Sequence, residues 1–317
     1  MAFIPAPGYQ PAYNPPVPYT TAIAGGLRVG MAVVIQAVAP STSNRFAVNF
    51  SCGQYEGSDI AFHLNARYDG RDRCVFNSFQ AGSWETEEMK REMPFKLGKV
   101  FLLTYEVTQN NYQVSVNGTP FYEFPHRIPL QRVQWLQVAG DITLQALSII
   151  ANGPGSGGTK GAGLIMSATQ ENLPPMIGPP ILHPTVPFKA HIRGGMVPKR
   201  TVVIKALVNS NAKIFQINLK IGFCNDIALH INPRLNKGVV IRNSFLNGTW
   251  GEEEKVLAKM PFKQGEYFDL SLRCGEKYFK VYVNGYHCFN YDHRITTLQQ
   301  VDTLEVDGDL KLCFVHF

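Results

Sequence analysis

The chain lacks the features needed for several common functions. No stretch approaches the ~18 consecutive apolar residues of a membrane-spanning helix, so no transmembrane segment is expected. Its opening, MAFIPAPGYQPAYNPPVPY, has neither a basic start nor an apolar run, and no secretory signal is expected. The six cysteines, at 52, 74, 224, 274, 288 and 313, include no CxxC pair and share no position between the two halves. A disulfide framework or zinc site would repeat its spacing, so reduced thiols in a cytosolic protein fit better. No loop is rich enough in carboxylates to hold calcium, and no phosphate loop or Ser–His–Asp order recurs. No metal and no cofactor are expected.

Charge is scarce, at 17% of residues, and no block carries one sign. Eleven basic residues face eleven acidic ones in 1–150, one faces one in 151–185, and eighteen face twelve in 186–317, which gives the net charge of +6. A nucleic-acid protein gathers such a surplus into a stripe. Here the lysines of the second half alternate with apolar residues, as on a solvated sheet face, so no nucleic-acid partner is expected. Helical periodicity is nearly absent as well. The only helix-like run, ETEEMKREM (85–93), is short and bounded by Pro94, and reads as strand or loop.

What the sequence does have is a duplication, the first thing to seek in a chain of 317 residues. MPFKLG (93–98) returns as MPFKQG (260–265), and VSVNGTPFYEFPHRI (114–128) as VYVNGYHCFNYDHRI (281–295). Trp84 pairs with Trp250, VAGD (138–141) with VDGD (306–309), and the offset stays between 166 and 169. One domain of about 130 residues has therefore been copied, large enough to bury a core. The copies span 17–150 and 186–317. Between them, 151–185 is a Gly/Ser/Pro-rich stretch that reads as a flexible linker. Residues 1–16 read as an unstructured Pro/Tyr tail. Within each copy, short runs alternate with period two, and turn signals fall every eight to twelve residues. Examples are AFHLNARY and IALHINPR. That pattern predicts an all-β fold of two antiparallel sandwiches. The NG pairs at Asn117–Gly118 and Asn247–Gly248 read as hairpin turns.

The repeat carries an unusual polar row. HLNAR (63–67) and HINPR (230–234) place His63, Asn65 and Arg67, and again His230, Asn232 and Arg234, on one face of a strand. Phe62, Leu64 and Ala66 then face inward. Downstream, each copy supplies a second Asn (Asn77, Asn243), a Trp (Trp84, Trp250) and a Glu three residues later (Glu87, Glu253). A broad apolar plate among directed donors and acceptors suits a sugar, whose C–H face stacks while its hydroxyls are read on the rim. A wrong hydroxyl leaves a buried polar group unpaired, at ~1–3 kcal/mol each. Arg and Glu of each set can form a bidentate pair that fixes both side chains, and pairing with Arg is expected to lower the pKa of each Glu. The glycines and charges around both Trp residues predict exposure, whereas unrepeated Trp135 reads as packing. His126–Arg127 and His293–Arg294 read as residues that hold the fold.

H-x-N-P-R followed by V-x-N and W-x-x-E-x-R resembles the carbohydrate-recognition signature of the galectins, over about 265 of the 317 residues. Two copies on one chain are similar to the tandem-repeat members. The resemblance implies jelly-roll-like sandwiches that bind β-galactosides without metal and bridge glycoconjugates. It implies that His63, Asn65, Arg67, His230, Asn232 and Arg234 read the axial 4-hydroxyl of galactose. Asn77, Glu87, Asn243 and Glu253 would bind the 6-hydroxyl and neighbouring atoms, and Trp84 and Trp250 would stack beneath the ring. Three positions depart from the signature. Ala66 replaces the motif proline, Met89 stands where the family has an arginine that buttresses the Glu, and Lys255 stands at that place in the second copy. Lys255 keeps the charge without the fork, so the first site is expected to gain less from the adjoining sugar. Arg45 and Lys213, one strand upstream, could lengthen the groove. The family further implies synthesis in the cytosol and export without a signal peptide.

Two rival classes remain at this point. A glycosidase needs two opposed carboxylates about 5–9.5 Å apart, and each constellation offers one. A protein-binding sandwich, in which the row is solvated surface, would not be displaced by lactose.

Overall fold

The chain is described here from a computed structural model that covers residues 3–151 and 173–317. It forms two compact units, one within Pro7–Glu171 and one within Asn172–Phe317, the latter taking in residues 3–6 as well. Among the described residues both are antiparallel β structures, and the only helical turns are three 3-10 segments, Leu130–Arg132, Leu235–Lys237 and Leu298–Gln300.

The first unit runs β1 (Tyr9–Tyr13), β2 (Tyr19–Ala22), β3 (Ala32–Val38), β4 (Arg45–Ser51), β5 (Ile60–Arg67), β6 (Arg73–Gln80), β7 (Ser83–Trp84), β8 (Glu88–Lys90), β9 (Val100–Val107), β10 (Asn111–Val116), β11 (Thr119–Pro125), β12 (Trp135–Gly140) and β13 (Thr143–Ile150). One sheet has the order β1-β13-β3-β9-β10-β11. The other has β2-β12-β4-β5-β6-β7, with β8 also paired to β6. The second unit repeats this as β14 (Ile181–Leu182), β15 (Phe188–His191), β16 (Thr201–Val208), β17 (Phe215–Ile221), β18 (Ile227–Arg234), β19 (Val239–Leu246), β20 (Thr249–Trp250), β21 (Tyr267–Cys274), β22 (Tyr278–Val283), β23 (Tyr286–Asp292), β24 (Val301–Gly308) and β25 (Leu310–His316). Its sheets are β14-β25-β16-β21-β22-β23 and β15-β24-β17-β18-β19-β20.

The period-two pattern decides which face of each strand enters the core. On β5, Phe62, Leu64 and Ala66 are fully buried, and the Phe62 ring stacks on Phe124 of β11 with centroids 4.5 Å apart. Burial of each such ring contributes about 1.5–3 kcal/mol. The alternate residues therefore face out on the same strand, and this puts the polar row on the outer face. The NG turns form as read: Asn117 and Gly118, like Asn247 and Gly248, all have positive φ, as the two-residue hairpin turn requires. ETEEMKREM contains β8, as a strand.

The expectation that residues 1–16 are unstructured is corrected by β1, which pairs with β13 from Tyr9↔Ile150 to Tyr13↔Ala146. The open edge of β13 supplies backbone partners, and Pro11 is tolerated because β1 is itself an edge. Of the expected linker 151–185, residues 152–172 lie outside the described residues. Met176 is buried and Ile181–Leu182 pairs with β25, so the second unit's ordered chain starts before residue 186. Trp135 is half-buried on β12, outside the core.

VAGD and VDGD also gain a reason. At Gly140 (φ +96°) a Cβ would lie 2.5 Å from the Arg45 carbonyl oxygen, and at Gly308 (φ +106°) 2.6 Å from Phe215 Cα. Only glycine permits that approach. The aspartates that follow accept backbone N–H bonds from the start of the neighbouring strand, Asn44 to Asp141 at 2.8 Å and Lys213 to Asp309 at 2.8 Å. The pair fixes the chain entering β4 and β17 at one end of the polar row.

Candidate functional site

Register across β4, β5 and β6 lines up three polar side chains, Asn49↔His63↔Asn77. In the second unit β17, β18 and β19 give Asn218↔His230↔Asn243. The same bonds then recur in both copies. Nδ1 of His63 is 2.6 Å from Asn49 Oδ1, and Nδ1 of His230 is 2.6 Å from Asn218 Oδ1. An amide oxygen accepts, so Nδ1 carries the proton and Nε2 is left as an acceptor. Asn65 donates to the Phe46 carbonyl and Asn232 to that of Phe215, each at 2.8 Å. Arg67 Nε donates to Asn65 Oδ1 at 2.6 Å, and Arg234 Nε to Asn232 Oδ1 at 3.0 Å. Each row is thus locked along its length before any ligand arrives, which limits the ordering cost of binding.

The plate and the carboxylate come from the chain beyond the next strand. A two-residue turn with positive φ at Ala81 and Gly82 returns Trp84 to pair with Phe79. Trp250 pairs with Phe245 in the same way. The indoles are 51% and 48% exposed, as the flanking residues predict, and lie 4.8 and 4.9 Å from the His63 and His230 rings. In the first unit His63, Asn65, Arg67, Asn77, Trp84 and Glu87 all line one groove of about 590 Å³, together with Arg45. Grooves of that size accommodate small ligands.

The Arg–Glu pairing is looser than expected, and this corrects the bidentate reading. Arg67 meets Glu87 through one contact at 3.4 Å, and Arg234 meets Glu253 at 3.8 Å. Each guanidinium has already committed its Nε to an asparagine, which removes the side-on fork through Nε. Glu253 is drawn instead to Lys255 at 2.7 Å, and the Lys255 ammonium holds its carboxyl below the usual range. Met89, at the corresponding place in the first unit, is half-exposed. Lys90 turns away, donating to the Phe121 carbonyl at 2.9 Å. No cluster of three or more His, Cys, Asp or Glu able to hold a metal occurs among the described residues.

The family model described as "Galactoside-binding lectin" matches residues 18–149 and 187–317. The chain is 52% identical to Galectin-4 of Sus scrofa and 50% identical to Galectin-4 of Homo sapiens, with 100% of each chain covered in both cases. It is 38% identical to Galectin-8 of Rattus norvegicus, with 96% of each chain covered. The chain belongs to the galectins. It is a tandem-repeat galectin of the galectin-4 type, a bivalent galactoside-binding lectin and not an enzyme. Among the described residues no helix is long and apolar enough to cross a membrane.

Two groups of site-supporting residues escaped the sequence reading of this galectin. Asn49 and Asn218 sit on the neighbouring strand and set the histidine tautomer, and only the register reveals them. Arg127 and Arg294, read as fold-holding, contact Asn77 and Asn243 at 3.2 and 3.0 Å.

The histidines carry a pH prediction. Burial, with the Arg67 and Arg45 guanidiniums nearby, pushes His63 down to about 4, and burial with Arg234 does the same to His230. In the unfolded chain both titrate near 6.5. The unfolded state therefore binds more protons between those values, and stability contributed by the neutral rings is lost as pH falls through that window. Thermal midpoints should drop from about pH 6.5 to pH 4.5, while galactoside affinity should stay within about twofold from pH 7.5 to 5.5. Fluorescence titration checks the second part. Affinity that falls more than about fivefold as pH drops through 6.5 would contradict it.

Proposed function

We propose that each domain seats one β-galactoside on the outer face of its site sheet and that the chain bridges two glycoconjugates. The galactose stacks its C–H face on Trp84 or Trp250. The axial 4-hydroxyl meets His63, Asn65 and Arg67 in one site, and His230, Asn232 and Arg234 in the other. Asn77 and Glu87, or Asn243 and Glu253, face the 6-hydroxyl and neighbouring atoms, and Lys255 adds a cation beside the second sugar. Met89 supplies no such donor, so the first site draws less from that sugar. The observation that carries it is the locked His–Asn–Arg row beside an exposed indole, built twice from the same hydrogen bonds. Two weak sites on one chain bind a glycan surface with avidity above either alone.

The proposal extends to synthesis in the cytosol and export without a signal peptide. The cysteines at 52, 74, 224, 274, 288 and 313, all unpaired, fit that route.

Lactose and cellobiose separate the reading from its rivals, because they differ in the orientation of the 4-hydroxyl on the terminal sugar. With EDTA present, lactose is expected to bind at least about tenfold more tightly than cellobiose, the equivalent of one lost directed hydrogen bond. Equal binding of the two would remove the assigned role of the His–Asn–Arg row. Slow hydrolysis of lactose would restore an enzyme.

A further inference from the structure

Behind the first groove lies an arginine, Arg127, that does not line it, and the second unit has an equivalent in Arg294. Arg127 Nη1 donates to Asn77 Oδ1 at 3.2 Å and to the Thr86 carbonyl at 3.0 Å, and Arg127 Nη2 pairs with Glu88. In the other domain Arg294 Nη1 donates to Asn243 Oδ1 at 3.0 Å and to the Glu252 carbonyl at 2.8 Å, and Arg294 Nη2 pairs with Glu254 at 3.0 Å. Each guanidinium also lies over an aromatic face, Phe124 at 4.6 Å and Tyr291 at 4.9 Å. One rigid group thus grips both the site asparagine and the backbone running from the site Trp to the site Glu.

The bond to Asn77 has a chemical consequence. A guanidinium only donates, so it can face only the amide oxygen. The Ser78 backbone N–H donates to that same oxygen at 2.8 Å, and Asn77 Nδ2 donates one proton to the Glu85 carbonyl at 2.9 Å. The remaining Nδ2 proton is what the side chain can offer a ligand. Asn243 is held the same way, through Ser244 and Gly251 at 2.8 Å each. There the loop carries Gly251, where a Cβ would lie 2.7 Å from Arg294 Nη1.

The carboxylate that anchors each arginine has a second partner, and the two domains supply it differently. Glu88 accepts the hydroxyl of Tyr122, whose ring stacks on Phe76. At the equivalent positions the second domain has Phe289 and Arg242. Arg242 lies over the Phe289 ring at 5.0 Å and pairs with Glu254 at 3.8 Å. The hydroxyl lost at one position is replaced by a guanidinium at the other, so the same carboxylate stays held on both sides. Two independent solutions to one anchoring problem argue that the anchor matters beyond filling space.

We propose that Arg127 and Arg294 are positioning residues that fix the site asparagine as a hydrogen-bond donor toward the galactose 6-hydroxyl, with Glu88–Tyr122 and Glu254–Arg242 holding them in place. The proposal rests on the reading of Asn77 and Asn243 given above.

The test uses the full chain carrying Trp250→Leu, so that the first groove reports alone, with methyl β-lactoside and its 6′-deoxy counterpart as ligands. With Arg127 intact, the lactoside is expected to bind about tenfold more tightly. Arg127→Lys keeps the charge but cannot reach Asn77, Thr86 and Glu88 together. It should lower that ratio at least about threefold while leaving the 6′-deoxy ligand within about twofold of its parent affinity. Equal losses for both ligands, with the ratio intact, would mean a purely structural arginine and overturn the proposal. A parent chain that does not distinguish the ligands overturns the role given to Asn77, and the proposal with it. If Arg127→Lys does not fold, Tyr122→Phe, which removes only the hydroxyl on Glu88, should lower the same ratio at least about threefold. An unchanged ratio there overturns the proposal.

Discussion

Arg67→Ala is expected to weaken galactoside binding at the first site by roughly 100-fold, and Arg234→Ala to do the same at the second. In each site the guanidinium joins the two halves of the constellation. It donates to Asn65 or Asn232 on its own strand and contacts Glu87 or Glu253 across the groove. Truncation removes at least one charge-assisted bond to the ligand, about 1.5–3 kcal/mol, and leaves an asparagine oxygen without its guanidinium partner in both sites and Glu87 without its ion pair in the first, whereas Glu253 keeps Lys255. A combined loss near 3 kcal/mol corresponds to that factor at ~1.4 kcal/mol per tenfold. Folding should be much less affected. Both guanidiniums are about a third exposed, at 29% and 32%, and ion pairs of that kind contribute under about 1 kcal/mol to stability. Calorimetry with the other site silenced, beside a thermal melt, reads both quantities. A variant that loses stability and affinity in proportion would place the arginine in the fold rather than in the site.

How much of this was legible beforehand depended on whether a contact is local in sequence. The rows 63–67 and 230–234 could be placed on one face because strand periodicity alone fixes it. Trp84 and Trp250 were readable as exposed because the turn preceding each is adjacent in the chain. Asn49 and Asn218 were not legible, since they meet the histidines only through a register that the sequence does not state. Arg127 is fifty residues from Asn77, and only the return of a distant segment behind the site brings them together. Its HRI motif was visible as a repeat, but its target was not. The tail was misread because composition rich in proline and tyrosine carries no sign of the open strand edge at β13 that captures Tyr9–Tyr13. Arg242 shows the opposite limit. Its position is occupied by buried Phe76 in the first domain, and pattern alone gives no hint that a guanidinium could replace a core phenylalanine. The tyrosine-to-phenylalanine change at 289 and the glutamate it leaves unmet supply the reason.

Stacking on the indoles makes the second large prediction and offers the most direct check of the central claim, that one chain carries two working galactoside sites. An exposed Trp that pairs with its strand only through β7 or β20 can become leucine at little cost to the core. The sugar would then lose its flat apolar support. A loss of about 2–3 kcal/mol on a shallow site, from the area no longer desolvated, takes binding beyond measurement. Lactose is titrated calorimetrically, with EDTA present, into the intact chain and into its Trp84→Leu, Trp250→Leu and doubly substituted forms. Two sites for the intact chain, one for each single variant and none for the double variant are expected. A stoichiometry of one for the intact chain, unchanged by one of the two single substitutions, would contradict a bivalent lectin and leave the corresponding groove without a role.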